Sequence, residues 1–210
     1  MDRTGDARAR ALWRAAATLE RTRCLGNPAP GLPTVFFITD PDRTPDPVAV
    51  AGRLPRGAGV IFRSFGRAGA EAVAVALAET ARRRGLLLLI GADVGLARKV
   101  GAAGVHLPER DLWRAPELRR RHPGWLLTGA THSAAALRQA QRAGVDGALL
   151  SAVFPSGSPS AGRPIGVVRL AALVRTTETP VFALGGVNGA TAGRLVGTGV
   201  SGFAAAEGLL

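Results

Sequence analysis

Polar residues that could carry chemistry follow short apolar runs at many points along this 210-residue chain. The runs have the length and the Val, Ile, Leu and Phe content of buried strands. In a parallel α/β barrel the carboxyl ends of the strands form one face, so residues placed just after the strands meet there. The positions concerned are Asp40, Arg63, Asp93, 106–111, His132, 154–165, Gly185, Gly186, Ala206 and Glu207. We therefore expect one composite site.

Two consecutive glycines make the clearest anion-binding signal. Gly185 and Gly186 end an apolar run and precede a predicted helix over 189–198, for which Asn188 is an N-cap candidate. Without Cβ atoms their N–H groups can approach an anion closely, and a helix N-terminus adds a positive dipole end. The pair predicts a phosphate site, with a tight turn that needs glycine only for conformation as the alternative. Ala206 and Glu207 are expected beside it, because barrels often use the loops after strands seven and eight for phosphate.

Single side chains at other strand ends suggest further roles. Arg63 ends the run 59–63, where a guanidinium can clamp a phosphate with two parallel hydrogen bonds, and a surface arginine is less expected inside an apolar strand. His132 follows the run 126–129, and imidazole is suited to moving a proton near neutral pH. His106 lies inside the run 104–107 and is predicted to be a hydrogen-bonded core residue.

Alternating elements position these residues. We predict strands at 34–38, 59–63, 86–90, 104–107, 126–129, 147–150, 180–184 and 201–205. Helices are predicted at 46–54, 69–84, 93–101, 112–121, 133–143, 166–175 and 189–198. Eight similarly spaced strand-helix units favour a single (β/α)8 TIM barrel over an open doubly wound sheet.

The two ends of the chain depart from a regular barrel. Leu12, Trp13, Ala16 and Leu19 have helical spacing, which predicts an extra N-terminal helix. We expect residues 1–30 to form this helix and a linker that pack on the barrel, and residues 31–210 to form the barrel. The last helix is expected to be missing or reduced to a turn, with the leading helix covering the gap.

Composition excludes several classes of function. A single cysteine, Cys24, cannot form an internal disulfide, and the first residues carry no signal-peptide pattern, so we expect a cytoplasmic protein. The longest apolar run, 86–90, is too short for a membrane span. The net charge of +12 is carried almost wholly by arginine. The two densest arginine runs, 82–84 and 119–121, close predicted helices and complement their dipoles, so no nucleic-acid partner is expected.

Five stretches taken in order resemble the thiamine phosphate synthase/TenI family over nearly the whole chain. They are FITD at 37–40, GVHLPERDL at 104–112, ATHS at 130–133, SAVFPSGSPS at 151–160 and PVFALGGVN at 180–188. The resemblance implies thiamine biosynthesis by a transferase that joins pyrimidine methyl diphosphate to thiazole phosphate. It also implies these small phosphorylated substrates as partners and Mg²⁺ as cofactor. The sequence does not determine the oligomeric state, and a homo-oligomer is one of the possibilities.

The resemblance assigns roles to residues. Serines 156 and 158 fall where the family receives the thiazole carboxylate or diphosphate oxygens, with a polar surface loop as the alternative, and Arg163 could supply a cation. Of the family's two metal-binding aspartates one matches Asp111, and Asp93 is one position from the other and could instead cap a helix. The family binds the pyrimidine diphosphate with a short pattern of polar residues, of which this chain retains only Arg63. Arg67 is the nearest replacement for the lysine of that pattern. At the phosphate site Glu207 stands where the family has a serine.

Three functions follow, in order. A thiamine phosphate synthase-like transferase with a degenerate diphosphate site comes first. A TenI-type thiazole tautomerase that uses His132 comes second, because it needs the glycine pair but not the diphosphate site. A non-catalytic phosphate-ligand binder comes third. The depleted diphosphate site predicts weak or absent synthase activity together with binding of thiazole phosphate.

Overall fold

Eight parallel strands pair in chain order, and the eighth pairs with the first, so the sheet closes into a barrel. The structure, a computed structural model, describes residues 3–23, 29–157 and 162–209. The strands are β1 (Val35–Ile38), β2 (Gly59–Phe62), β3 (Leu87–Gly91), β4 (Gly104–Leu107), β5 (Leu126–Thr131), β6 (Gly147–Leu150), β7 (Val181–Ala183) and β8 (Gly202–Ala205). The predicted (β/α)8 barrel is confirmed.

Seven α-helices lie within the described ranges. They are α1 (Arg3–Arg23), α2 (Pro47–Arg53), α3 (Ala70–Arg84), α4 (Val94–Val100), α5 (Ala115–Arg121), α6 (Ala134–Ala143) and α7 (Gly166–Val174). Ser133 caps α6, since its hydroxyl accepts the Ala136 N–H at 3.1 Å. The predicted arginine runs occupy the last turns of α3 and α5. No helix in the described part of the chain has both the length and the apolar content to cross a bilayer.

Two predicted helices are corrected by the structure. The predicted helix 189–198 is only a 3₁₀ turn over Ala192–Leu195. A Cβ on Gly189 would lie 2.2 Å from the Arg8 carbonyl oxygen, so the backbone of α1 occupies space beside this segment. The predicted helix 112–121 begins as a 3₁₀ turn, Glu109–Arg114, and becomes α-helical only at Ala115. Pro116 explains this start, because proline fits only the first turn of an α-helix.

Glycines and aromatic rings alternate in the lower layer of the barrel. The even-numbered strands each begin with a glycine: Gly59, Gly104, Gly147 and Gly202. A Cβ on Gly59 would lie 2.4 Å from Phe36 Cδ1, and one on Gly202 would lie 2.9 Å from Phe182 Cδ1. The two phenylalanine rings meet edge to face with centroids 5.4 Å apart. Gly59 and Gly202 therefore make room for the two rings inside the barrel.

Helix α1 packs against β8 and the 3₁₀ turn Ala192–Leu195. Leu12 and Leu19 are buried, and the Trp13 indole N–H donates to the carbonyl oxygen of Leu209 at 3.0 Å. The amphipathic pattern of the leading segment thus places an extra helix beside the last strand. Cys24, in the segment that follows α1, lies outside the described residues.

Candidate active site

A cavity of about 560 Å³, called the mouth cavity below, opens at the carboxyl ends of the strands. Among its lining residues are Arg63, His132, Ser156, Gly185, Gly186, Ala206 and Glu207, which all belong to the predicted site. Asp93, Asp111 and Arg163 are not part of its described lining, and Ser158 lies outside the described residues. A larger cavity, about 940 Å³, lies at the opposite end of the barrel and holds none of the predicted residues. We assign the site to the smaller cavity because the strand ends meet there.

The glycine pair lies directly on the segment that follows β6. Both residues are in the left-handed region, with φ of +90° at Gly185 and +65° at Gly186. A Cβ on Gly186 would lie 2.3 Å from the Pro155 carbonyl oxygen, and the Phe154 N–H donates to the Gly185 carbonyl at 3.0 Å. Neither glycine N–H donates to a residue that the structure describes. Glycine is therefore required for the conformation of this segment.

The helix expected after the glycine pair does not add a dipole. Asn188 does not cap a helix, because its Oδ1 accepts the Ala190 N–H at 2.9 Å within a local turn. The Thr191 hydroxyl donates to the Gly186 carbonyl at 2.8 Å and fixes the same turn. A short 3₁₀ turn carries little of the aligned dipole of a long helix. Positive charge for an anion at this position must come from side chains.

Arg63 is held at the mouth by backbone and charge contacts. Its Nε donates to the Thr39 carbonyl at 2.9 Å, and its backbone N–H donates to the Thr39 hydroxyl at 2.8 Å. The guanidinium lies 3.6 Å from an Asp40 oxygen and 5.0 Å from the Phe65 ring centroid. Burial lowers the pKa of Arg63, while the Asp40 carboxylate acts in the opposite direction. Arginine remains charged in proteins, so Arg63 is a fixed cation at the cavity.

Asp40 and Glu207 balance part of the positive charge at the mouth. Arg43 Nε lies 3.5 Å from Asp40 Oδ2 and 3.8 Å from Glu207 Oε1. The Glu207 side chain is 62% exposed, so its carboxylate is in contact with water as well as with Arg43. These contacts reduce the repulsion that Glu207 would exert on a bound phosphate.

His106 lines the cavity from below. It is buried, and its Nδ1 lies 3.0 Å from the Thr128 hydroxyl oxygen, so the hydrogen-bonded core histidine predicted from the sequence is present. Burial, assisted by the charge of Arg63, lowers the pKa of His106 to about 3. His106 is thus a neutral polar group at the bottom of the site.

Glu109 is a site residue that sequence reasoning did not single out. Its Oε2 accepts the His132 backbone N–H at 2.9 Å and lies 2.7 Å from His132 Nδ1. A carboxylate only accepts hydrogen bonds, so this network assigns the proton to Nδ1 and leaves Nε2 for a ligand. Glu109 stood within the stretch 106–111, but nothing in the sequence indicated which distant residue it would contact.

The predicted metal ligands do not meet at the cavity. Asp93 caps α4, with its Oδ1 accepting the Leu96 N–H at 2.8 Å, which is the alternative predicted for it. Asp111 lies in the 3₁₀ turn Glu109–Arg114. In the described ranges no three His, Cys, Asp or Glu side chains are grouped so that they could hold a metal ion. The structure therefore does not group Asp93 and Asp111 in the described lining of the cavity, and the Mg²⁺ site that the resemblance implies stays a prediction.

The two other candidate cations also lie away from the cavity. Arg67 forms an ion pair with Asp42 and is not part of the described lining. Arg163 is exposed. Neither arginine is part of the described lining of the cavity.

Comparison with known proteins agrees with the barrel and its motifs. The family model for thiamine monophosphate synthase, TMP-TENI, matches residues 35–209. The thiamine-phosphate synthase of Chlorobium luteolum is 32% identical over 180 residues, which is 84% of each chain. That of Chloroflexus aurantiacus is 34% identical over 62% of this chain and 61% of its own length. A solved thiamine phosphate pyrophosphorylase from Pyrococcus furiosus superimposes with a TM-score of 0.70, at 24% identity over 82% of this chain and 84% of its own. The chain therefore belongs to the thiamine monophosphate synthase family.

Proposed function

We propose that this chain is a thiamine phosphate synthase-like transferase that binds thiazole phosphate in the mouth cavity and joins it slowly to pyrimidine methyl diphosphate. The observation that carries the proposal is that Gly185 and Gly186 line the same cavity as Arg63. One cavity then offers donors to both substrates. The relative from Chlorobium luteolum is named for this reaction. A cytoplasmic location, expected from the low cysteine content, is part of the proposal.

The proposed chemistry asks the protein mainly for positioning and charge. The bond between the pyrimidine methylene carbon and the diphosphate breaks, and the diphosphate leaves with the electron pair. The thiazole nitrogen then uses its lone pair to bond the carbon, which makes the thiazolium ring. Arg63 faces the developing charge of the diphosphate, and the glycine N–H groups orient the thiazole through its phosphate. Ser156 lines the same cavity and is a candidate contact for the diphosphate.

Slow turnover is expected because the diphosphate pocket has lost charged contacts. The lysines of the family are absent, and Arg67 and Arg163 do not line the cavity among the described residues. Each lost charge-assisted contact costs roughly 1.5–3 kcal/mol, so several together reduce the rate by orders of magnitude. The resemblance implies Mg²⁺ for this step, but no step is assigned to it because Asp93 and Asp111 do not meet at the cavity.

The test is direct. The full chain is incubated with thiazole phosphate and pyrimidine methyl diphosphate, with and without Mg²⁺, and thiamine phosphate is measured. We expect slow product formation that Arg63→Ala reduces by about tenfold or more. Arg53→Ala is the matched control, since Arg53 is exposed at the end of α2. No product and no binding of thiazole phosphate would overturn the proposal.

A second function, a TenI-type thiazole tautomerase, is favoured by the contact between Glu109 and His132. A histidine with Nδ1 bonded to a carboxylate and Nε2 left for a ligand is arranged to accept a proton. This reaction needs the glycine pair but not the depleted diphosphate pocket. Conversion of a tautomeric thiazole phosphate, followed by NMR, would identify it if His132→Gln abolishes the conversion while binding is retained.

A further inference from the structure

Helix α1 brings an arginine to the mouth of the cavity. Arg8 lines the cavity together with Gly186 and Gly189. Its backbone lies so close that a Cβ on Gly189 would be 2.2 Å from the Arg8 carbonyl oxygen. The packing of α1 on β8 thus places Arg8 beside the loop that carries the glycine pair. Arg8 lies outside the span 35–209 that the family model matches.

A phosphate bound at the glycine pair needs a cation that is not already paired with a carboxylate. A phosphate at Gly185 and Gly186 would receive little dipole from the short 3₁₀ turn, and Glu207, a carboxylate, also lines the cavity. Arg43 and Arg63 are both ion-paired with Asp40, and Arg43 also with Glu207. Arg8, by contrast, forms no ion pair or side-chain hydrogen bond with any residue of the described ranges.

From this arrangement we infer that Arg8 binds the phosphate held by the Gly185 and Gly186 N–H groups. A guanidinium can donate two hydrogen bonds to one phosphate, and its charge compensates for Glu207. The extra N-terminal helix is then part of the substrate site as well as a cover for β8. The inference rests on the proposed function, because it assumes a phosphate at the glycine pair.

Calorimetric titration of the full chain with thiazole phosphate tests the inference. Arg8→Ala should raise the dissociation constant by about tenfold or more, and Arg8→Lys should give an intermediate value, since the charge remains but the fork geometry is lost. Arg10→Ala is the matched control, because Arg10 lies two residues away and lines a separate surface hollow with Asp6 and Arg14. The Arg10→Ala variant should bind thiazole phosphate as tightly as the wild type does.

A second ligand distinguishes the loss of a phosphate contact from a general disturbance of the fold. The thiazole alcohol, which lacks the phosphate, should bind wild type and Arg8→Ala equally. Equal loss of both ligands would mean that the substitution disturbs α1, and the inference would be wrong. If wild type binds thiazole phosphate and Arg8→Ala binds it as well, only the role of Arg8 is wrong. If wild type itself does not bind thiazole phosphate, the proposed function fails.

Discussion

The Nδ1 atom of His106 lies 3.0 Å from the Thr128 hydroxyl oxygen, inside the barrel and directly below the mouth cavity. This contact joins neighbouring strands, since His106 on β4 is in register with Thr128 on β5. Burial and the charge of Arg63 lower the pKa of His106 from 6.5 to about 3. The folded protein therefore resists the protonation that the unfolded chain accepts, and this coupling makes stability depend on pH.

His106 should make the protein less stable in acid. Its contribution is fully present above pH 6.5 and is lost as the pH falls from there towards about 3. The free energy of unfolding should then fall by up to about 1.4 kcal/mol per pH unit from this group. His106→Gln, which can still bond Thr128, should lack this component. Urea unfolding of both proteins across the interval measures it, and parallel pH profiles would contradict the lowered pKa.

Gly186→Ala should disturb the site more than a glycine change in the turn that precedes β5. The new Cβ would lie 2.3 Å from the Pro155 carbonyl oxygen in a residue with φ of +65°. We expect a loss of about 1–3 kcal/mol in stability and of about tenfold or more in affinity for thiazole phosphate. Gly124→Ala is the control, since a Cβ there meets nothing within 4 Å and Gly124 is not part of the described lining of the cavity. Unchanged binding by Gly186→Ala would remove the glycine pair from the site.

Glu109→Ala should change which nitrogen of His132 carries the proton. In the wild type the Glu109 carboxylate, 2.7 Å from Nδ1, holds the proton there. Without it the preference for Nδ1–H should disappear. The ¹⁵N chemical shifts of the His132 ring report this directly. Glu117→Ala, which removes an exposed partner of Arg121 on α5, should leave them as in wild type. If the shifts do not move in Glu109→Ala, Glu109 does not position the ring.

Removing the arginines that end α3 should have little effect on ligand binding. Arg82, Arg83 and Arg84 occupy the last turn of this helix, at the opposite end of the barrel from the mouth. Arg83 pairs with Glu79 at 2.5 Å, and such exposed pairs contribute about 0–1 kcal/mol to stability. The triple alanine variant should bind thiazole phosphate within about twofold of wild type, given screening over such distances. A tenfold loss, measured by calorimetry, would show that these charges act on the site.

The barrel was predictable because each strand is a short apolar run and the order of runs determines which residues share an end. Arg63, His132 and Gly186 are far apart in sequence yet line one cavity, and that follows from strand positions alone. Local signals also sufficed for Asp93, whose capping contact spans three residues.

Contacts between distant segments were not predictable. The segment after Gly186 does not form the predicted helix, and the Arg8 backbone lies against it at Gly189. No local sequence pattern indicates that these two distant segments are in contact. Glu109, at the start of the 3₁₀ turn after β4, reaches His132, just after β5, although the two residues are 23 positions apart. The metal ligands suggested by motif position do not meet at the cavity because one aspartate is used to cap a helix and the other lies in a 3₁₀ turn.

The rings of Phe36 and Phe182 meet edge to face inside the barrel beneath the mouth, and both side chains are fully buried. Substrates and products should therefore enter and leave through the same opening at the carboxyl ends of the strands. A bound product should then compete with incoming substrate at this opening, so that accumulation of product should slow turnover.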